Sequence, residues 1–337
     1  MRPNSPPHVL ISILNWNHAD STRACLLSLE QAGYLARSDI DVVVTDNGSH
    51  PEDTERAALV AAASGVRFRR NSQNLGFAGG HNALLQEALM DGVPFVWLLN
   101  NDCVVQAGTV EALLAAMTED PRCAVASPCL AYEDTREVYF AGAVQDWPAM
   151  GSRWCPAPWS SEFHEQNRNR VWAVGTAILL RTAAVRQVGM LNAELFAYYE
   201  DDELGERMIR AGWRCSILKD AAILHNRKTN QAVKRPPYFY YLMSRNWLCF
   251  YRLYTPAANR RWLLLRLLAT GCDRARRLSK EGHRELSDAT LLGLTDGLRG
   301  RLGRPLLDRP VPASTRCLAA AMRILNLIHE TLKPNKS

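Results

Sequence analysis

The 337-residue sequence contains no CxxC pair, no GxGxxG or P-loop run, no internal repeat and no uninterrupted apolar stretch of bilayer length. Each absence removes a class of protein. The nine cysteines, at positions 25, 103, 123, 129, 155, 215, 249, 272 and 317, are scattered and odd in number. They begin no zinc ribbon or redox motif, and they fit reduced thiols in a cytosolic protein better than a disulfide framework. Without a glycine-rich fingerprint or a Walker lysine, dinucleotide binding and ATP-type phosphoryl transfer both lose support. The longest apolar run near the C-terminus, Trp262 to Cys272, is broken by Arg266 and falls well short of the ~20 residues a helix needs to span a bilayer. At the N-terminus three prolines precede a short apolar run that leads into an Asn-rich turn, with no small-residue cleavage site, so no signal peptide is expected.

Apolar content is ample: 47% of the residues are hydrophobic and 22% charged, enough for a sizeable core. The net charge of +6 hides an uneven distribution. Residues 1–226 carry 18 basic and 27 acidic side chains, a net of −9, whereas residues 227–337 carry 22 and 7, a net of +15. Two differently employed regions share the chain.

From residue 9 to about 130, short β-branched runs (VLISILNW, DVVVTDN, VRFRRN, FVWLLNN, CAVASPCL) alternate with segments of helical period. PEDTERAALVAAA opens with proline at the first helical turn and acids beside it, as a helix N-terminus favours. The alternation predicts an α/β fold with a mostly parallel sheet and helices on both faces. Residues 131–170, rich in Trp, Pro, Glu and Arg, predict hairpins or a long loop. A second ordered block follows, with strands at 173–180 and around RCSILKDAAILHN and helices at 182–189 and 200–212. The last 110 residues predict three basic helical segments. The expected division is an α/β domain over 1–230, with a first half at 8–130 and a second at 131–230, followed by a basic helical region over 231–337.

Ligands of open parallel sheets bind beyond the carboxyl ends of the strands, and those ends are polar here. The first supplies Asn15, Trp16 and Asn17; the second Asp46, Asn47, Gly48 and Ser49; the third Asn71; the fourth Asn100, Asn101 and Asp102. Each type is also an ordinary turn former. Four successive ends of this kind nevertheless suit a nucleoside, whose base and ribose present N–H and hydroxyl donors. NLGFAGGHN (74–82) places three glycines before a helix, where backbone N–H groups can approach a phosphate. Asp102 fits either a helix cap or one carboxylate of a Mg²⁺ or Mn²⁺ site completed by phosphate oxygens and water. YYEDDELGER (198–207) gathers Glu200, Asp201, Asp202 and Glu203 into one helical turn. Acids there gain about 0.3–1 kcal/mol each from the helix dipole, and Glu203 with Arg207 reads as a surface pair. Four adjacent like charges also repel, so one is expected to face a cation, a hydroxyl or a hydrogen-bond network, where it can act as a general base. His225 closes an apolar strand, either as a satisfied edge residue or as an imidazole ligand if it shares an edge with Asp102.

In order, ISILNWNHADSTRACLLSL, VVVTDNGSHPEDT, NSQNLGFAGGHNALLQEAL, FVWLLNNDCVV, VGTAILLRTAAVRQVGMLNAELFAYYEDDELGERMIRAGW and ILHNRKTN resemble the family 2 glycosyltransferases of the GT-A fold, especially the bacterial rhamnosyltransferase-like branch. The resemblance covers residues 8–255 and implies that 1–230 is a catalytic domain with a nucleotide-binding half (8–130) and an acceptor half (131–230). It implies a Rossmann-like GT-A sheet and a nucleoside site at Asn15, Asn17 and Asp46. It further implies a loop along the nucleotide at Asn74, Gly76 and Asn82, with Asn101 beside the donor. Asn100-Asn101-Asp102 takes the place of the DxD metal motif. Asp102 matches its last acid, and His225, followed by Thr229, completes the environment of a divalent ion (Mg²⁺ or Mn²⁺). Asp201 matches the general base of an inverting transfer, and Gly175 and Glu200 are acceptor-side candidates. Asn100 departs from the first acid of a strict DxD, Asn192 stands where the family often has Asp, and Glu203 where Asp is usual.

The implied donor is a nucleoside-diphosphate sugar, dTDP-L-rhamnose first, then UDP- and GDP-linked sugars, and the acceptor a saccharide or lipid-linked saccharide of a cell-surface polysaccharide. The basic helices suit either an anionic membrane surface at the inner face of the cytoplasmic membrane or a homodimer contact. Two other classes fit less well. A sugar nucleotidyltransferase would carry a basic loop after the first strand, where NWNHADS has no Lys or Arg. A nucleic-acid-binding protein is disfavoured by the acidic first two thirds of the chain.

Overall fold

A computed structural model describes residues 8–226 and 235–331; the N-terminal prolines and Thr229 lie outside the described residues. These residues pack as two compact units. The first holds β1 (Val9–Asn15), α1 (Ala19–Gln31), β2 (Ile40–Asp46), α2 (Pro51–Ala63), β3 (Arg67–Arg70), α3 (Gly76–Asp91), β4 (Phe95–Asn100), β5 (Cys103–Val104), α4 (Thr109–Glu119) and β6 (Cys123–Tyr132). It continues through β7 (Val138–Phe140), β8 (Ala143–Asp146), β9 (Gly151–Trp154), α5 (Ser161–Gln166), β10 (Ala177–Arg181), α6 (Thr182–Val188), α7 (Glu200–Arg210) and β11 (Arg214–His225).

The main sheet runs β3-β2-β1-β4-β10-β6-β11-β5, with β7 paired to β6. Both of its faces are covered, which is why its central strands read as unbroken apolar runs. Val9, Ile11 and Ile13 point into one core with Cys25, Leu26 and Leu29 of α1 and Leu113 and Met117 of α4. Leu10 points into the other, with Leu84 and Leu85 of α3, Val185 of α6 and Leu204 and Met208 of α7. β3, β2, β1 and β4 are mutually parallel, but β10 is antiparallel to both β4 and β6. No crossover helix delivers β10. The chain reaches it from the 131–170 excursion, which forms β7, the β8–β9 hairpin and α5, so β10 starts at the edge where β4 ends. The Asn100 N–H bonds the Thr176 carbonyl there at 2.9 Å.

The second unit consists of Glu194–Tyr199 together with α8 (Pro237–Tyr254), α9 (Ala257–Lys280), α10 (Arg284–Arg299) and α11 (Ala313–Thr331). Two expectations change. Residues 194–199, placed in the acceptor half by sequence, pack with the C-terminal helices. The basic region also forms four helices rather than three. α10 was missed because RELSDATLLGLTDGLR is polar and carries two mid-helix glycines, which weaken a helical pattern. Packing explains them: a Cβ at Gly293 would collide with the Tyr241 carbonyl of α8, and one at Gly297 would lie 3.0 Å from the Arg245 carbonyl. The glycines let two helix backbones approach closely, and Thr290 and Thr295 return their hydroxyls to Leu286 and Leu291 within α10. The aromatic and basic run of α8 also faces inward, with Arg245, Asn246, Trp247, Phe250 and Tyr251 all buried. Among the described residues of this region the exposed large apolar side chains are Leu253, Trp262, Leu265, Leu298 and Leu306, with exposed Arg260 and Arg261 next to Trp262 in the chain.

Gly48 in the β2–α2 turn has φ +72, and a Cβ there would press into the backbone of Gln73 and Asn74. Gly65 has a similar φ of +67 but open space around it. Gly65→Ala should therefore cost about 1 kcal/mol of left-handed strain. Gly48→Ala should cost about 2 kcal/mol or more because overpacking adds to the strain. Urea unfolding of the two variants checks the difference.

Candidate active site

The carboxyl ends of β1, β2 and β4 lie at one edge of the sheet and are joined by buried hydrogen bonds. The Asn15 amide donates to Asp46 Oδ1 (2.9 Å), Asp53 Oδ2 (2.9 Å) and Ser49 Oγ (3.3 Å), and its oxygen accepts from Thr22 Oγ1 (2.8 Å). Asp46 Oδ2 accepts from the Ser49 N–H and the Thr54 hydroxyl. Asp53 Oδ1 caps the neighbouring helix through the Ala19 N–H at 3.0 Å. Asn17 adopts a left-handed φ of 58 and accepts the His50 N–H at 2.8 Å. Asn101 reaches back to Thr22 at 3.0 Å. Asn15 and Asp46 are fully buried with these partners, so they set the shape of the edge, while Asn17 and Asn101 keep accessible surface.

The glycine loop differs from its expected form. Two of its N–H groups already have partners: Gly76 N–H donates to Asn74 Oδ1 (2.8 Å) and Leu75 N–H to Asn47 Oδ1 (3.1 Å). Its glycines serve packing, since a Cβ at Gly80 would lie 2.6 Å from a Leu14 methyl and one at Gly79 would lie 2.9 Å from Leu75 Cβ. Asn47 ties the loop together through Asn71, Asn74 and the Gly76 carbonyl. Asn82 turns to the Leu191 carbonyl at 2.8 Å.

Asp102 and His225 do meet. β11 pairs antiparallel with β5, setting His225 opposite Cys103, and the Asn226 N–H bonds the Asp102 carbonyl at 2.8 Å. His225 Nε2 lies 3.2 Å from Asp102 Oδ1, and Nδ1 lies 2.7 Å from the Tyr139 hydroxyl. Adjacent ligands of an octahedral ion with bonds of ~2.1 Å stand about 3 Å apart, so this pair fits Mg²⁺ or Mn²⁺. Tyr139 fixes the imidazole through its second nitrogen, as ligating histidines usually require. Among the described residues no third His, Cys, Asp or Glu joins them, which suits an ion whose other positions are filled by diphosphate oxygens and water.

The acids of α7 separate into roles. Glu203, buried rather than at the surface, is clamped by Arg207, whose Nε sits 2.9 Å from both carboxylate oxygens while the same guanidinium donates to the carbonyls of Val188, Gly189 and Met190. Glu200, Asp201 and Asp202 have no such cation. Burial drives the Glu200 carboxyl well above the usual range, with repulsion from Asp201 adding to it. Asp202 is raised in the same way despite an amide hydrogen bond from Gln145. Asp201 is raised by burial as well, but its oxygens accept the N–H groups of Gly175 (2.8 Å) and Asp202 (2.9 Å), which favour its charged form. Burial thus raises all three carboxyls, and Asp201 differs from its neighbours in that two backbone N–H groups favour its charged form. Gly175 must be small here, because a Cβ would lie 3.2 Å from the Phe77 ring and 3.6 Å from Asp201 Cβ.

Sequence reasoning missed Thr22, Asp53, Tyr139 and Gln145, and named Asn47 and Ser49 only as polar residues at the end of the second strand. Asp53 read only as a helix N-terminal acid, and Tyr139 and Gln145 lie in the stretch without periodicity.

Because the folded-state pKa of Glu200 lies above its unfolded value, the folded protein holds the extra proton. This stabilises below the unfolded pKa, near 4.3, and is lost as pH rises toward the folded value. Glu200→Gln, uncharged throughout, should therefore gain in melting temperature relative to wild type between pH 4 and pH 8. Parallel melting curves across that range test it, and a constant difference would contradict the burial argument.

The glycosyl transferase family 2 model matches residues 10–189. The N-acetylglucosaminyl-diphospho-decaprenol L-rhamnosyltransferase of Mycobacterium tuberculosis is 30% identical over 209 residues, covering 56% of this chain and 67% of that protein. In fold, the chain is similar to Staphylococcus aureus TarS residues 1–349, solved with UDP-GlcNAc (TM-score 0.56, 16% identity, 94% of this chain and 88% of that one). It is likewise similar to the mannosyltransferase PcManGT of Pyrobaculum calidifontis, solved with GDP-Man and Mn²⁺ (TM-score 0.52, 14% identity, 98% and 83%). With more than half of its length matched by the family model and GT-A glycosyltransferases as its structural neighbours, the chain belongs to glycosyl transferase family 2 and is a glycosyltransferase.

Proposed function

We propose that this glycosyltransferase moves a sugar, L-rhamnose from dTDP-L-rhamnose in first place, onto a hydroxyl of a lipid-linked saccharide with inversion at the anomeric carbon. The observation that carries the reading is Asp201, a half-buried carboxylate oriented by two backbone N–H groups at the sheet edge where β1, β2 and β4 end. The rhamnosyltransferase relative supports the donor sugar and the lipid-linked acceptor; the UDP-GlcNAc and GDP-Man of the structural neighbours keep other donors in play.

Asp201 takes the proton of the acceptor hydroxyl as its oxygen attacks the anomeric carbon from the face opposite the diphosphate. The new carbon–oxygen bond forms while the bond to the diphosphate oxygen breaks, and its electron pair leaves with the nucleoside diphosphate. No covalent sugar–enzyme intermediate is needed. Two backbone N–H groups favour the charged form of Asp201, between two flanking acids that burial pushes up. Asp102 and His225 would hold the divalent ion, which when bound offsets the negative charge of the diphosphate. The polar edge around Asn17, Asn101 and the Asn47–Asn74 loop receives the nucleoside, with Asn15 and Asp46 beneath it.

The acceptor's lipid calls for a membrane surface. Among the described residues no helix is long and apolar enough to cross a membrane. The second unit instead exposes Leu253 (61%), Trp262 (61%) and Leu265 (54%) near Arg260 and Arg261, and the Arg266 guanidinium lies 4.6 Å from the Trp262 ring centre. Aromatic and apolar side chains ringed by arginine suit an anionic headgroup layer.

Asp201→Asn should abolish transfer while leaving dTDP and UDP affinity within about twofold of wild type, and full activity would remove the base assignment. Release of nucleoside diphosphate from a panel of nucleotide sugars, with and without a polyprenyl-diphospho-saccharide, identifies the donor. Exhaustive chelation should stop turnover; activity that survives it would remove the metal role of Asp102 and His225. In flotation with anionic vesicles at low salt, Trp262→Ala combined with Leu265→Ala should weaken binding several-fold. No binding by the wild type would leave these helices as a protein–protein element.

A further inference from the structure

A groove of about 730 Å³ lies within the second unit, between α9, α10 and α11. Its volume falls within the roughly 300–1,000 Å³ of small-molecule sites. The floor is apolar: Cys272, Leu291 and Met322 are buried there, with half-buried Ala269 and Ala319 beside them. The rim is basic, with Arg266 and Arg276 from α9 and Arg316 from α11.

The carboxylates nearby do not cancel that charge. Asp273 is shared by Arg276 (2.8 Å) and Arg277 (3.4 Å), and Asp288 meets Arg316 at 3.1 Å. With Arg266 counted, four guanidiniums stand against two carboxylates, a local excess of two positive charges. These ion pairs lie at the surface, where each contributes little, so a phosphate can share or displace them at small cost. Arginine suits that ligand because its planar fork presents paired N–H donors to phosphate oxygens.

The line of the groove continues into apolar surface. Trp262, Arg266, Ala269, Asp273 and Arg276 follow one another along α9 at steps of four, three, four and three residues, and so share one face of the helix. Trp262 and Leu265, at the start of that line, are exposed, and the Arg266 guanidinium lies 4.6 Å from the Trp262 ring centre. A free phosphate would satisfy the arginines and leave the floor uncovered. A lipid carries both halves of the complement, an anionic phosphate and a chain of methylenes.

We propose that this groove binds one anionic phospholipid, its phosphate held by Arg276 and Arg316 and part of an acyl chain laid over Ala269, Cys272 and Met322. The proposal rests on the reading that the second unit meets a membrane, and it replaces diffuse adsorption with a defined lipid site.

The test uses the full chain and two variants, each first matched to wild type in helix content by circular dichroism. Ala320 is exposed and lines the groove, so Ala320→Trp fills it while leaving every charge and the Trp262–Leu265 surface in place. Arg276→Gln combined with Arg316→Gln removes the phosphate ligands and leaves the floor. Each protein is titrated with dihexanoyl-phosphatidylglycerol and with dihexanoyl-phosphatidylcholine by native mass spectrometry, with inorganic phosphate as competitor. Each is also floated with vesicles of phosphatidylcholine alone or mixed in equal parts with phosphatidylglycerol. The expected result is one phosphatidylglycerol per wild-type chain, with binding about tenfold weaker for phosphatidylcholine and about tenfold weaker for phosphatidylglycerol in both variants. Equal binding of the two lipids, undiminished binding by Ala320→Trp, or displacement of the lipid by an equal concentration of inorganic phosphate overturns the proposal. The membrane reading is judged apart from it. Flotation of wild type and Ala320→Trp alike, with equal lipid titrations, overturns the groove and keeps the membrane. One phosphatidylglycerol bound by a chain that does not float supports the groove and overturns the membrane reading. Neither lipid binding nor flotation overturns both and leaves this face to an acidic protein partner.

Discussion

The site depends on a single buried carboxamide. Asn15 ends the central strand of the nucleotide-side sheet, and its amide and carbonyl together engage Asp46, Ser49, Asp53 and Thr22. Those partners belong to the next strand, the turn after it and two helix starts, so one side chain fixes where four segments leave the sheet. Burying so many polar groups is tolerable only when each has a partner, and a fully satisfied network is rigid. The edge therefore exists as a shaped polar surface before any ligand arrives.

The same constraint acts with opposite effect at α7. Three carboxyls are packed there with no cation paired to them among the described residues, so burial raises all three, while two backbone N–H groups favour charge on Asp201. Stability is given up locally and basicity gained. The neighbouring Glu203, one step along the helix, shows the alternative outcome: an arginine clamp converts an acid of the same turn into a structural brace. The charge imbalance of the chain follows from this division of labour. In the function proposed, the acidic unit carries the transfer chemistry and Asp102 and His225 would hold the ion that lets it accept a diphosphate; the basic unit uses its arginines partly inward, on backbone carbonyls, and partly outward around Trp262.

Much of the first unit could be read from periodicity, because strands covered on both faces are written as apolar runs and the helices between them carry ordinary start and stop signals. The antiparallel β10 could not be read, since strand direction depends on the route of an aperiodic excursion rather than on the strand's own residues. α10 escaped because its glycines serve contact with Tyr241 and Arg245 across a helix pair, a tertiary demand that overrides propensity. In the site, motif order pointed to Asp102, His225 and Asp201, and the fold gives each a partner: the first two each other, and Asp201 the Gly175 N–H. Motif order could not separate residues that face a ligand from those that support the edge, as Asn15, Asp46 and the glycine loop do, because that depends on hydrogen-bond partners distant in sequence. Arg245 and Asn246 lie in a run whose composition suggests a surface, whereas both are fully buried.

The central claim is a direct displacement in which Asp201 deprotonates the acceptor while the sugar leaves the nucleotide. The stereochemistry of the first product formed is its most direct test. Proton NMR of the glycosylated acceptor, taken before any anomerisation, should show the anomeric configuration opposite to that of the nucleotide-sugar donor. Retention of the donor's configuration would contradict a single displacement with Asp201 as base.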